Sequence, residues 1–176
     1  MSLLSKADIH QALQRLGELA QEYGHEIELL AVGGAVMVLA YDARLSTHDV
    51  DAVILAPTDA RITRQLAEQV ALELNWPLDW LNDGAKSYLI GMSHGQTIYT
   101  SAGIVVRQPS IAQLLAMKLS AWRDDVDIAD AELLLSKTNG SQDAIWQKVE
   151  PHLVPGRELK AQYAFLDLWD VLYGDD

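Results

Sequence analysis

The chain has 176 residues, of which 49% are apolar, with no cysteine and a formal charge of −12. A chain of this size and composition predicts one compact domain, or one domain with a small helical extension, and excludes a disulfide framework and thiolate chemistry. The charge disfavours duplex DNA as a partner, because the 13 Lys and Arg residues are scattered and form no basic run. No run of about 18 apolar residues and no signal-peptide pattern occurs, so we expect a cytoplasmic protein without a membrane segment.

The first half of the sequence alternates between helical and strand patterns. Ser5 is a predicted helix N-cap, and Gly24 is predicted to end that helix. The remaining predicted elements, in chain order, are a strand over 26–32, a tight turn at Gly33-Gly34, a short helix over 36–41, a strand over 49–55, a helix opened by 57–59, a short strand over 77–81, a turn at 82–84, and short strands between 88 and 106, with 103–109 the clearest.

From Ser110 onward the sequence predicts only helices, interrupted by a loop at 138–141 and by Pro151 and Pro155. The order of elements predicts an α+β fold, with a mixed sheet flanked by helices and a helical C-terminal extension. We expect an α/β core over 1–109 and a helical subdomain over 110–176 that packs on the core.

Asp49 and Asp51 are the most informative pair in the sequence. Side chains at i and i+2 of a strand point to the same side, so the pair presents two carboxylates on one face while Val50 points towards the core. Two anions this close raise each other's pKa unless a cation lies between them, and Mg²⁺ is a hard cation that prefers oxygen ligands. Gly33-Gly34 adds backbone that a triphosphate can approach closely.

An Asp-x-Asp pattern alone is weak evidence, because 16 aspartates in this length give roughly one such match by chance. A second match, Asp125 and Asp127, is predicted to be the acidic first turn of a helix that starts near Val126. The strand context and the preceding Gly-Gly turn are what favour a functional interpretation of Asp49 and Asp51.

Three segments together carry a resemblance to a known family: GGAVMVLAYDARLSTHDVD, then LDWLND, then PSIAQLLAMKLSAWRDDVDIAD. They resemble the nucleotidyltransferases of the DNA polymerase beta superfamily, and more narrowly the small bacterial members related to abortive-infection and toxin–antitoxin nucleotidyltransferases. The resemblance spans most of residues 26–135. It implies a nucleotidyltransferase-like fold and a Mg²⁺-dependent transfer of a nucleoside monophosphate from an NTP to a hydroxyl acceptor.

The resemblance also implies roles for individual residues. Asp49 and Asp51 would hold Mg²⁺, and a third carboxylate on a neighbouring strand would complete the metal site and activate the acceptor. Asp79 is the candidate for that third position, with Leu78 and Trp80 packed on the opposite face, and Asp83 is the alternative. The residues expected to contact the nucleotide are Gly33, Gly34, Arg44, Thr47, Lys118 and Arg123.

One departure from the family pattern keeps a second hypothesis open. Many family members have serine after the two glycines, where its hydroxyl binds phosphate, and this chain has Ala35. The alternative is a binding module with the same fold and decayed chemistry, acting as a toxin–antitoxin-like component. The acceptor, the choice of NTP and the oligomeric state stay open, with a homodimer and an operon-encoded partner protein both compatible with the sequence.

Overall fold

The computed structural model describes residues 3–174. Within that range the chain forms two compact units: residues 3–86 with 95–108, and residues 87–94 with 109–174. The first unit holds every strand of the described chain, and the second holds the C-terminal helices. The predicted α+β class with a mixed sheet is confirmed.

The first unit contains seven strands and three α-helices in the described residues. In chain order they are β1 Leu4–Ser5, α1 Lys6–Glu22, β2 Ile27–Ala31, α2 Gly33–Leu39, β3 Ser46–Thr47, β4 Val50–Ala56, α3 Ala60–Leu74, β5 Leu81–Asn82, β6 Thr97–Ser101 and β7 Ile104–Arg107. A 3₁₀ helix, Gly84–Tyr88, follows β5 and leads out of this unit.

Five of these strands form one mixed sheet in the order β5-β4-β2-β7-β6. The strand β2 lies at its centre, antiparallel to β4 and parallel to β7. At one edge, β5 runs parallel to β4 and pairs Leu81 with Val50 and Asn82 with Asp51. The sheet therefore places Asn82, which follows the loop after α3, directly beside Asp51.

The helices begin where the sequence offers side-chain caps. Ser5 and Asp8 form a reciprocal capping box at the start of α1, as the predicted N-cap requires. Asp59 caps α3 by accepting a hydrogen bond from the Arg61 N–H, and Asn75 ends that helix in the left-handed conformation. Both helices bury apolar side chains spaced three and four apart, which is why the sequence pattern locates them well.

The second unit contains four α-helices: α4 Ile111–Ala121, α5 Asp125–Ser136, α6 Gln142–Val149 and α7 Glu158–Tyr173. A short 3₁₀ turn, Glu150–His152, links the last two. Gln113 of α4 is fully buried and holds the segment 87–94 through hydrogen bonds from its Nε2 to the carbonyls of Ile90 and Gly91. No helix of the described chain is long and apolar enough to cross a membrane.

The structure differs from the sequence predictions in three places. The short strands predicted between 88 and 106 are found as β6 and β7, but the described chain has no strand over 88–96. The strand predicted over 77–81 is instead a turn that ends in the two-residue β5. Its cause is Trp80, which is buried and donates its indole N–H to the Ala67 carbonyl of α3. The antiparallel ribbon of β1 and β3, which pairs Leu4 with Thr47, was not predicted because strands of two residues carry no periodicity.

Candidate functional site

The aspartate pair lies at the start of β4, in the first unit. Asp51 is the second residue of that strand, and Asp49 directly precedes it; both are half-buried. Val50 between them is fully buried, and its N–H donates to the Trp80 carbonyl. The alternation of a strand therefore turns Val50 into the core and leaves the two carboxylates on the other side.

Asn82 connects the two aspartates. Its side-chain Nδ2 donates to Asp49 Oδ2 over 2.9 Å, while its backbone position pairs with Asp51 across the β4–β5 ladder. The N–H of Ala85, three residues later, donates to Asp51 Oδ1 over 3.2 Å. The segment 82–85 thus contacts both carboxylates, which shows that they converge on one small region.

The Gly33-Gly34 turn lies beside Asp51, and its two glycines have separate structural reasons. Gly33 adopts φ +64°, a conformation in which side chains are strained, and a Cβ there would lie 3.4 Å from Asp51 Oδ2. At Gly34 a Cβ would lie 2.5 Å from the Oγ1 of Thr47, so packing alone requires a glycine. Thr47 is buried on β3, where it supports this turn.

Arg44 supplies positive charge next to the same turn. A guanidinium nitrogen of Arg44 lies 3.5 Å from the position that a Cβ on Gly34 would take. Arg44 is half-exposed and belongs to the loop between α2 and β3. Four of the six expected nucleotide contacts, Gly33, Gly34, Arg44 and Thr47, therefore lie together around the Asp51 side of the pair.

The expected third carboxylate is not found where the sequence placed it. Asp79 lies in the exposed turn before β5, and the predicted packing of Leu78 against the core is wrong because Leu78 is 55% exposed. Asp83 is also exposed and pairs with Arg64 at 3.3 Å. The residue whose side chain contacts the pair is Asn82, an amide that binds metal weakly and cannot act as a base at neutral pH.

Lys118 and Arg123 belong to the second unit, where they already have partners. The Lys118 ammonium lies 3.0 Å from Asp127 and 2.7 Å from Asp130, and Arg123 lies 3.0 Å from Asp127. Burial alone would raise the pKa of Asp127, but the hydrogen bond from Arg123 and the charge of Lys118 lower that pKa to about 2. The two cations thus neutralise buried carboxylates of their own unit.

A cavity of about 240 Å³ is lined by residues of β4, α3, β5 and the segments next to β5, with Asn82 among them. Its lining combines apolar side chains, among them those of Ala52, Ala67 and Leu81, with two cations and two carboxylates: Arg64, Lys86, Glu68 and Asp83. The ammonium group of Lys86 makes no hydrogen bond or ion pair within residues 3–174. Asn82 is shared by this cavity and the aspartate pair, so the two features adjoin.

The donor set of the pair suits a hard cation. Asp49 Oδ1 accepts no hydrogen bond from any described residue, which leaves it available, and both side chains offer the carboxylate oxygens that Mg²⁺ takes. The site has two acidic residues, since no group of three or more His, Cys, Asp or Glu side chains suited to a metal occurs within 3–174. Water and phosphate oxygens would have to supply the remaining ligands of a Mg²⁺ ion.

Sequence reasoning missed Asn82 and the Asp127 cluster for different reasons. Asn82 was assigned to an Asn-Asp-Gly turn, and only its register opposite Asp51 reveals its place beside the pair. The acidic first turn predicted near Val126 is confirmed by α5, but the burial of Asp127 was not foreseen. The i, i+4 spacing of Arg123 and Asp127 at the start of α5 is the signal that could have indicated that ion pair, whereas the contact of Lys118 with Asp127 joins two helices and has no such signal.

Comparison with known proteins adds no relative: no family model, no curated protein sequence and no solved structure matches the chain. The functional argument therefore depends on the geometry of the site.

Proposed function

We propose that this chain is a Mg²⁺-dependent nucleotidyltransferase of the DNA polymerase beta type, which moves a nucleoside monophosphate from an NTP to a hydroxyl acceptor. The observation that carries the proposal is the convergence of Asp49 and Asp51 on the segment 82–85 beside the Gly33-Gly34 turn. Two carboxylates on one side of a strand, next to a turn without side chains, suit a metal-bound triphosphate.

The chain's own residues would orient the metal ligands. Asn82 fixes the rotamer of Asp49 through its Nδ2, and the Ala85 N–H fixes that of Asp51. Arg44, whose guanidinium lies beside Gly34, would contact a phosphate oxygen of the bound nucleotide. Bound Mg²⁺ would supply charge neutralisation at the α-phosphate, where the acceptor oxygen forms a new P–O bond and pyrophosphate leaves.

The weakest part of a transferase site here is the removal of the acceptor proton. Asn82 occupies the place beside the pair where the family resemblance calls for a third carboxylate, and its amide accepts no proton. The proton would have to pass to one of the two aspartates or to water. This observation favours a second candidate, a module that binds the Mg²⁺–nucleotide complex without transferring it.

A labelling experiment separates the two candidates. The protein is incubated with Mg²⁺, a cell extract as the source of acceptors, and an NTP labelled at either the α- or the γ-phosphate. Transfer of NMP puts the α-label, but not the γ-label, into an acceptor fraction, and the Asp51→Asn variant abolishes it. If wild type incorporates no α-label yet binds the NTP with Mg²⁺, the binding module is supported. Absence of both transfer and binding contradicts both candidates.

A further inference from the structure

The side-chain amide of Asn82 has one orientation that its neighbours permit. Its Oδ1 accepts the Gly84 N–H over 2.8 Å, and its Nδ2 donates to Asp49 Oδ2 over 2.9 Å and to the Asp79 carbonyl over 3.2 Å. The reversed amide would set Nδ2 against the Gly84 N–H, which joins two donors, and Oδ1 against a carboxylate, which joins two acceptors. Asn82 therefore presents N–H groups, and not an oxygen, to the aspartate pair.

The backbone after Asn82 holds this arrangement close to Asp51. A Cβ on Gly84 would lie 3.0 Å from Asn82 Oδ1 and 3.4 Å from Asp51 Oδ1, so the missing side chain lets the segment approach the pair. The next N–H along the chain, that of Ala85, donates to Asp51 Oδ1 over 3.2 Å. Where they face the segment 82–85, both aspartates therefore meet hydrogen-bond donors.

A donor at this place affects how many cations the pair can hold. Carboxylate oxygens attract a divalent cation, whereas N–H groups carry partial positive charge and repel it. In enzymes that use two divalent cations, the ions lie about 3.5–4 Å apart, so anionic ligands have to offset their mutual repulsion. A site for two cations therefore needs more carboxylate than a site for one.

The described residues offer the pair no further anionic ligand. No group of three or more His, Cys, Asp or Glu side chains suited to a metal occurs within 3–174. Of the two aspartates nearest to Asn82 in sequence, Asp83 pairs with Arg64 at 3.3 Å, and Asp79 lies in the exposed turn before β5. The guanidinium of Arg44, beside the glycine turn, adds positive charge of its own. The charges near the pair thus suit one divalent cation.

We propose that Asn82 limits the aspartate pair to one bound divalent cation. This limit presupposes, as the proposed function does, that Asp49 and Asp51 bind Mg²⁺. One cation can hold a triphosphate in place, so the limit applies to the transferase and to the binding module alike. A second cation, in enzymes that have one, assists the attacking oxygen, and this chain would have to act without that assistance.

Manganese binding to the full chain tests the number of cations, because Mn²⁺ takes oxygen ligands as Mg²⁺ does and is counted by electron paramagnetic resonance. Wild type should bind one Mn²⁺ at the pair, and Asp51→Asn should remove it. The acidic surface of a chain with a charge of −12 attracts further ions, so only ions lost in Asp51→Asn are counted. Wild type should show no coupling between two neighbouring Mn²⁺ spins, and this readout needs no variant.

Three variants test whether Asn82 sets the number. Asn82→Asp replaces the amide by a carboxylate of the same shape and should bind a second Mn²⁺, with coupled spins. Asn139→Asp is the matched control, because it adds the same charge at an exposed residue of the second unit and should leave the number at one. Asn82→Ala should also leave the number at one, but should raise the dissociation constant for Mn²⁺ about tenfold, the lower end for a residue that hydrogen-bonds to a metal ligand.

The outcomes separate this proposal from the proposed function. Two coupled Mn²⁺ ions in wild type, or a single Mn²⁺ in Asn82→Asp, would overturn the role of Asn82 and leave the proposed function in place. Mn²⁺ binding that Asp51→Asn does not change would instead contradict the assignment of the pair to a metal site, and with it both candidate functions.

Discussion

The tripeptide Asp-Val-Asp occurs twice in this chain, and the two copies have opposite surroundings. At 49–51 it starts a strand, so both carboxylates lie on one side and Val50 is buried between them. At 125–127 it starts a helix, where residues two apart point in different directions: Asp125 is exposed and Asp127 is buried. Secondary structure, rather than the residues themselves, decides whether two aspartates can share a ligand.

Charge compensation also differs between the two copies. Asp127 has cations from its own unit, Lys118 and Arg123, and its charge is neutralised within the fold. Within residues 3–174, the side-chain donor to Asp49 is the neutral amide of Asn82, which stabilises a carboxylate without cancelling its charge. The buried ion pairs of the copy at 125–127, the helical copy, therefore bear on the stability of the fold, whereas in the copy at 49–51, the strand copy, the Asp49 carboxylate keeps its charge available for a ligand.

The largest expected effect is on the helical copy. Asp127→Asn removes one of the two carboxylates that pair with the buried Lys118, and because Asp130 still pairs with it, we expect a loss of about 3 kcal/mol of unfolding free energy, the lower end of the range for breaking a buried ion pair. Denaturant titration followed by helical circular dichroism measures this change. Asp125→Asn, the exposed aspartate of the same tripeptide, should change the unfolding free energy by less than about 0.5 kcal/mol. Equal losses in both variants would contradict the assigned roles.

A somewhat smaller effect is expected from Mg²⁺ at the strand copy. Folding brings Asp49 and Asp51 together, so a cation that binds only this arrangement stabilises the fold by about 2.7 kcal/mol at 100 times its dissociation constant. Asp51→Asn should melt at or above the temperature of wild type without metal and should respond less to Mg²⁺. Thermal scans with and without the ion measure both quantities. An equal Mg²⁺ response in the two proteins would place the ion elsewhere.

The pH dependence of the unfolding free energy at acid pH distinguishes the buried Asp127 from an exposed aspartate. Asp127 has a folded pKa of about 2 against an ordinary value of 3.8, so its contribution to stability is complete above pH 4 and is lost as pH falls towards 2. The shift corresponds to about 2 kcal/mol. Denaturant titrations between pH 5 and 2 should show this loss in wild type and not in Asp127→Asn. Asp59, whose pKa is also about 2, is exposed beside Arg61, and Asp59→Asn should alter the profile little.

The smallest effect on stability is expected from adding a third carboxylate beside Asp49 and Asp51. Asn82→Asp places a third acid beside Asp49 and opposite Asp51, which should lower stability without metal by about 1 kcal/mol through repulsion. With Mg²⁺ the variant should gain more stability than wild type, because the site then has three charged ligands. Metal titration of the melting temperature compares the two proteins. A variant that responds less than wild type would show that Asn82 does not face the metal position.

The long elements around the site could be predicted from the sequence, and the short ones could not. The helices α1 and α3 and the strands β2 and β4 have caps or apolar patterns that the sequence displays directly. The turn before β5 could not be predicted, because it depends on the contact of Trp80 with Ala67, thirteen residues earlier. Tertiary packing overrides local pattern at such positions.

The residues of the candidate site likewise fall into those that a local pattern predicts and those that depend on contacts distant in sequence. Asp49 and Asp51 followed from strand alternation, which is a local property. Asn82 did not, because its place beside Asp51 depends on the register of two strands separated by α3. Gly34 was predicted to face a triphosphate, and the structure supplies a packing reason for it in Thr47, which the sequence does not reveal.

The most direct test of a nucleotide site at the strand copy is a calorimetric titration of each of the four NTPs into the protein, with Mg²⁺ and with EDTA. We expect saturable binding of at least one NTP that needs Mg²⁺, is lost in Asp51→Asn and is retained in Asp125→Asn. Binding that is equal with EDTA, or unchanged by Asp51→Asn, would contradict the assignment of Asp49 and Asp51 to a metal–nucleotide site. Failure of all four NTPs to bind wild type would contradict it as well.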